Sequence, residues 1–230
     1  MEEPELRVGG WEKERSRRSF GRIFNLILII AIAFAIAGPS LVKYNPAYVP
    51  SDSLYLANGM WNGPFEVDYS KEFVGHVKVS SVTYETTLDR SGIVRIISLS
   101  SLIDLKDVEL QNRIVGTVEQ EAHKEGLTLT KGVIRPLEGI DIPTDSQLIN
   151  IYEWEGRPYH SGNYNTFFGQ EDSDMENSFT VRAIVWNEAD AYVLEEIGDF
   201  YQQYQTVVCI IFGANQEVIN QAIDLIEDVA

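Results

Sequence analysis

The sequence is poor in the residues that most often cross-link a fold or do chemistry. Its 230 residues include one cysteine and three histidines. A single cysteine allows no disulfide within the chain, so any folded part must be stabilised by its own core. Cys209 lies inside Val207-Val208-Cys209-Ile210-Ile211-Phe212. A reactive thiolate needs a polar, electropositive niche, so this thiol is expected to be buried and structural. His76, His123 and His160 are far apart and share no metal-ligand spacing. The chain has no His-x-x-x-His, no Cys-x-x-Cys, no Gly-rich phosphate loop and no Gly-x-Ser-x-Gly elbow. No zinc site, nucleotide site or other cofactor is therefore expected.

Positive charge is also scarce where most of the chain lies. Residues 43–230 carry twelve Lys/Arg against thirty Asp/Glu, a net charge of −18. Such a surface repels phosphate backbones, which excludes nucleic acid as the natural partner. The 188 residues of this segment suffice for one ordinary domain.

One long apolar run stands apart. Ile23 to Val42 reads IFNLILIIAIAFAIAGPSLV, with no charged residue. As a helix it rises roughly 30 Å, the hydrocarbon thickness of a bilayer. Gly38-Pro39 falls at its end, where a proline costs little. Arg15, Arg17, Arg18 and Arg22 precede the run and only Lys43 directly follows it. Retention of positive charge then puts the N-terminus in the cytoplasm and residues 43–230 outside. The alternative is a signal peptide cleaved near Ala37, after which the domain is secreted. The expected organisation is a cytoplasmic tail (1–22), a transmembrane helix (23–42), a linker or irregular lead-in (43–64) and an extracytoplasmic domain (65–230).

Within that domain the patterning alternates between strands and two helices. Residues 65–70, 74–84 and 93–99 read as strands, and Asp89-Arg90-Ser91-Gly92 as a hairpin turn with Gly92 at positive φ. A helix is expected over 106–125, capped by Asp104 or Asp107 and closed by Gly126. Gly116 weakens it or permits a close approach. Residues 127–134, 147–154 and 179–186 read as further strands, with Glu155-Gly156-Arg157-Pro158 as a turn. Residues 187–204 fit either a helical face or a strand beginning at Tyr192. Thr206 to Phe212 is apolar throughout, as a central strand would be. Asn215 caps a final helix with Val218, Ile219, Ala222, Leu225, Ile226 and Val229 on one stripe. This is an α+β fold of the α/β/α sandwich type: a mostly antiparallel sheet packed by an internal helix and a long C-terminal helix, behind one transmembrane helix.

The helix ending Lys124-Glu125-Gly126, the strand meander after it and the close VVCIIFGANQEVINQAIDLIED (207–228) resemble PsbP-like and Mog1-like domains. The opening strand ending in Pro-x-x-Trp of those domains is absent, with Phe65-Glu66-Val67-Asp68-Tyr69 in a comparable place. The resemblance implies a non-enzymatic accessory or binding domain and carries over no functional residue.

Two candidate sites fall in or near the polar, aromatic stretch 159–177. Glu171, Asp172, Asp174 and Glu176 offer oxygen ligands to calcium or magnesium, although the twelve-residue calcium loop does not fit them. The plainer reading is a solvated acidic loop. Trp154, Tyr159, Tyr164, Phe167, Phe168 and Trp186 offer rings to line a groove for a small ligand or another extracytoplasmic protein. The plainer reading there is rings that pin the loop to the sheet. Glu153, Glu155 and Glu188 are the carboxylates available for a general-acid pair, so a hydrolase stands as an alternative to a binding domain.

Overall fold

The computed structural model describes residues 10–87, 91–102, 105, 108–130, 132–135, 142–143, 146–158, 178–188, 192–193 and 202–229. The chain divides into two units, residues 1–41 and 42–230.

The first unit is a helix, α1 (Gly10–Leu41), 32 residues long. Its stretch Gly21–Leu41 has a mean hydropathy of 2.3 and is long and apolar enough to cross a membrane. Ile27, Ile29 and Ile36 are 59%, 63% and 76% exposed, so this is no core helix of a globular protein. Such side chains find their partner in hydrocarbon. Pro39 falls in the last turn, where few backbone bonds remain to be lost.

The second unit is built on one antiparallel sheet. Its strands are β1 (Trp61–Asn62), β2 (Asp68–Glu72), β3 (Val77–Thr86), β4 (Gly92–Ser101), β5 (Leu127–Leu129), β6 (Val133–Arg135), β7 (Ser146–Pro158), β8 (Phe179–Glu188), β9 (Tyr192–Val193) and β10 (Gln202–Gly213). The order across the sheet is β1-β3-β4-β10-β8-β7-β5, with β2 on β3, β6 on β7 and β9 on β10. The last strand in the chain is therefore the central one. It pairs along its length with β4 on one side and β8 on the other.

Strand periodicity explains why β10 is apolar at every step. Val207, Cys209 and Ile211 point into one core; Val208, Ile210 and Phe212 point into the other. The first core is covered by the C-terminal helix α4 (Gln216–Glu227) together with Ala47 and Val49 of the lead-in. The second is covered by the internal helix α3 (Val108–Lys124), through Ile114, Val118 and Ala122. The α/β/α layering read from the sequence is what the chain adopts. Val218, Ile219, Leu225 and Ile226 of α4 are all buried, and at about 1.5–3 kcal/mol each they contribute roughly 6–12 kcal/mol before entropy is counted. Asn215 caps α4 as expected, its Oδ1 accepting from the Val218 amide at 3.0 Å. Gly126 closes α3 at φ 83°, a left-handed conformation that costs glycine no steric clash.

Several local expectations are corrected. Gly92 opens β4 and does not take positive φ; it is glycine because an added Cβ would lie 2.4 Å from Val218 Cγ1. Residues 155–158 are no turn. They extend β7, pairing Gly156 with Leu129 and Pro158 with Leu127. Gly156 lets the strands close, since a Cβ there would meet Val181 and Leu127 at 3.2 and 3.3 Å. Around Tyr192 the strand alternative holds, as β9 pairs with Gln202 and Gln203. Asp104, Asp107, Asp89 and Arg90 lie outside the described residues.

The compact unit begins at Val42, ahead of the first strand. Residues 43–49 have no regular structure, yet side chains from the sheet bond to their backbone at Lys43, Asn45, Ala47 and Val49. Gln203 accepts from the Lys43 amide at 2.9 Å and donates to the Lys43 carbonyl at 3.1 Å. Gln205 donates to the Asn45 carbonyl at 3.2 Å. Ser98 Oγ accepts from the Ala47 amide at 3.2 Å, and the Tyr84 hydroxyl from the Val49 amide at 2.9 Å. Polar side chains thus do for the Lys43, Ala47 and Val49 amides what a neighbouring strand would do. The short helix α2 (Leu54–Ala57) follows, and its Tyr55 hydroxyl donates to Asp224 of α4 at 2.6 Å.

Candidate ligand cleft

Between α3 and the β2-β3-β4 side of the sheet lies a cleft of about 380 Å³. That is within the usual size range of small-molecule sites. The local patterns that form it are simple. On β2, alternation sends Asp68, Ser70 and Glu72 to the cleft and Tyr69 and Lys71 to the opposite side. On α3, helical periodicity gathers Arg113, Thr117, Gln120, Glu121 and Lys124 on the facing wall, beside Ile114. The floor is apolar but for one hydroxyl: Val79 and Ser81 of β3, Ile97 and Leu99 of β4, Val208 of β10.

Most of its charges are already matched. Arg113 reaches from α3 to Glu72 on β2 and forms an ion pair. Its guanidinium also lies 4.7 Å from the centre of the Phe73 ring. Arg95, on β4, pairs with Glu121 and, at 3.0 Å, with Glu125. Lys124 Nζ donates to Glu121 Oε1 at 2.6 Å. Burial lowers the Arg113 and Lys124 pKa values from their ordinary ones, and for Lys124 the nearby Arg95 adds to the effect. Burial likewise raises the Glu125 carboxyl, with Arg95 working against that shift.

The rim holds a backbone outlier. Phe73 has φ 47° and is 62% exposed. A bulky aromatic residue in the left-handed region costs about 1–3 kcal/mol, and burial does not repay it here. Such strain at the edge of a cavity is a common mark of a working surface.

The candidates read from the sequence fall elsewhere. Trp154 and Trp186 are 4% and 0% exposed and lie in cores on opposite faces of the sheet. Strand alternation separates them, so the two share no groove. Trp154 stacks on Tyr152 at 5.9 Å and fills the space beside Gly132, where a Cβ would lie 2.2 Å from its Nε1. Tyr159, Tyr164, Phe167, Phe168, Glu171, Asp172, Asp174, Glu176 and His160 lie outside the described residues. Among the described residues no three His, Cys, Asp or Glu side chains are grouped to hold a metal ion.

The carboxylates considered for acid catalysis are not paired with each other. Glu153 accepts from Arg182 Nη2 at 2.7 Å and is ion-paired with Arg135 as well. Burial opposes its charge, but the hydrogen bonds from Arg135 and Arg182 outweigh that and hold its pKa below the ordinary value. Glu188, raised by burial, stands six residues along β8 from Arg182, about 20 Å at the rise of a strand. Two carboxyls of a glycosidase stand within about 10 Å. Glu155 is occupied by Arg157 at 3.1 Å. Cys209 is fully buried, and burial pushes its thiol up, as its apolar setting implied.

The cleft residues were not singled out from the sequence. A signal was there in α3, whose stripe Arg113, Thr117, Gln120, Glu121 and Lys124 adjoins the apolar stripe of Ile114 and Val118. A helix face with both signs of charge ordinarily faces water, and only the neighbouring β2 turns it into a wall.

Comparison with protein-family models, with curated proteins and with solved structures finds no match to this chain.

Proposed function

We propose that this protein is a membrane-tethered binding domain held outside the cytoplasm, which takes a small ligand in the cleft beneath α3 and does not transform it. The carrying observation is the cleft itself: about 380 Å³, an apolar floor, and polar walls whose acids and bases are mostly engaged with one another. Groups fixed in ion pairs hold a shape well and exchange protons poorly, which favours binding over catalysis. The exposed, strained Phe73 at the rim supports the same reading. The arrangement of an internal helix and a central strand running into α4 is also in keeping with a likeness to PsbP-like and Mog1-like accessory domains.

The tether is α1, and the four arginines at 15, 17, 18 and 22 against Lys43 favour a cytoplasmic N-terminus. Retention of α1, rather than cleavage near Ala37, is favoured by its full membrane length. Thr117→Trp tests the site. The indole fills the cleft from the α3 wall, and ligand uptake by the full chain should disappear while its melting temperature stays within about 2 °C. Uptake unchanged in this variant overturns the assignment of the cleft. Orientation is tested by protease added to intact cells. Digestion of residues 43–230 with the tail protected is expected, and protection of the domain refutes the topology.

A further inference from the structure

The charges of the cleft do not cancel. Three carboxylates line it, Asp68, Glu72 and Glu121, against two cations, Arg113 and Lys124. Glu72 is taken by Arg113, and Glu121 by Arg95 and Lys124. Arg95 brings its own second acid, Glu125, so it leaves the balance unchanged. Asp68 is left over. It makes no ion pair or hydrogen bond among the described residues, and it senses Lys124 only through space while that ammonium is bound to Glu121. It stands on β2 at the mouth, facing the same space as the apolar floor of Val79, Ile97 and Leu99.

A ligand that complements this arrangement has an apolar body and one positive charge. An anion at the mouth meets Asp68 and finds Arg113 already committed. A neutral apolar ligand fills the floor and leaves the carboxylate where it was. We infer that the cleft selects amphiphilic amines, with the ammonium on Asp68 and the apolar part between α3 and β4. The acidity of the whole segment, net −18, adds a long-range bias of the same sign. This inference rests on the cleft being the binding site, as proposed above.

The test uses the full chain in nanodiscs with empty nanodiscs as the reference, and two probes of one shape, 4-phenylbutylamine and 4-phenylbutanol. Isothermal titration of the native protein should give the amine about fivefold tighter binding than the alcohol, the worth of one exposed charge pair. The preference should shrink as salt is raised. It should vanish in Asp68→Asn and in Ser70→Lys, where a cation is added two residues along the same edge strand and Asp68 is kept. Thr117→Trp should abolish binding of both probes. Equal affinities in the native protein, or a preference that survives Asp68→Asn, overturn the amine selectivity while the cleft stands, provided Thr117→Trp still blocks both probes. If neither probe binds the native protein, or Thr117→Trp binds both as the native protein does, the cleft is not the site and the inference falls with it.

Discussion

Gly116 sits in the middle of α3 with its backbone toward solvent, and an added Cβ would meet no atom of the described residues within 4 Å. The two readings open from the sequence, a helix weakened by glycine or a close approach that needs it, are thereby separated. None of the described residues approaches, so the glycine only loosens the unfolded chain. Gly116→Ala should stabilise the domain by about 0.5–1 kcal/mol, combining the helix propensity of alanine with the lower entropy of its unfolded state. For a domain of this length, that is a rise in melting temperature of roughly 1–4 °C. The assay is intrinsic fluorescence of the full chain in detergent, because Trp61, Trp154 and Trp186 are buried in the domain and report its unfolding. Gly92→Ala is the opposed control. Its Cβ would lie 2.4 Å from Val218 and 3.0 Å from Trp61, and overpacking of this kind costs about 1–3 kcal/mol. A fall in melting temperature for Gly116→Ala, or no change for Gly92→Ala, refutes the packing described for α3 and α4.

Other outcomes follow from the same geometry. Tyr84→Phe removes the acceptor of the buried Val49 amide, so stability should drop by about 1–3 kcal/mol and hydrogen exchange at Val49 should accelerate in NMR. Glu153→Gln leaves Arg135 and Arg182 with a neutral partner, costing about 1–2 kcal/mol in a denaturant titration at pH 7. Because the native Glu153 is held below its ordinary 4.5, its contribution is complete above that pH and is lost as pH falls through the folded value. Glu125 and Glu188, raised by burial, trend the other way, so the native-minus-variant difference is the quantity to follow. Tyr55 has the opposite sign. The hydrogen bond to Asp224, with burial and that carboxylate's charge behind it, raises its pKa from 10.0 to about 12. Its small contribution is full below pH 10 and is lost as pH climbs through about 12, so Tyr55→Phe should flatten that limb of a pH–stability curve.

How much of this was legible in the residues depends on whether the signal is local. β10 and α4 were readable because burial on two faces demands apolar residues at every step, and burial on one demands a stripe. The membrane-length helix was readable from composition alone. The extension of β7 through Gly156-Arg157-Pro158 was not, because those residues also spell a turn and only the partner strand β5 decides between them. The same holds for Trp154 and Trp186. Rings near one another in sequence suggested a groove, whereas strand alternation and their pairing partners send them to opposite cores. The cleft was hidden for a related reason. β2 is polar on both sides, and nothing in Asp68-Tyr69-Ser70-Lys71-Glu72 says that a helix forty residues later will face it.

The place of β10 has a consequence for when the domain can form. β4 and β8 are not paired with each other: β10 lies between them and pairs with both, while β4 also pairs with β3 and β8 with β7. Until residues 202–213 have left the ribosome, the earlier strands make two half-sheets with no common ladder, and α4 has no surface to cover. A chain stopped anywhere before Gln202 should remain as two open edges, prone to pair with whatever strand arrives first. Closure of the sheet is thus tied to the emergence of one late segment, residues 202–213, rather than to any of the strands made before it.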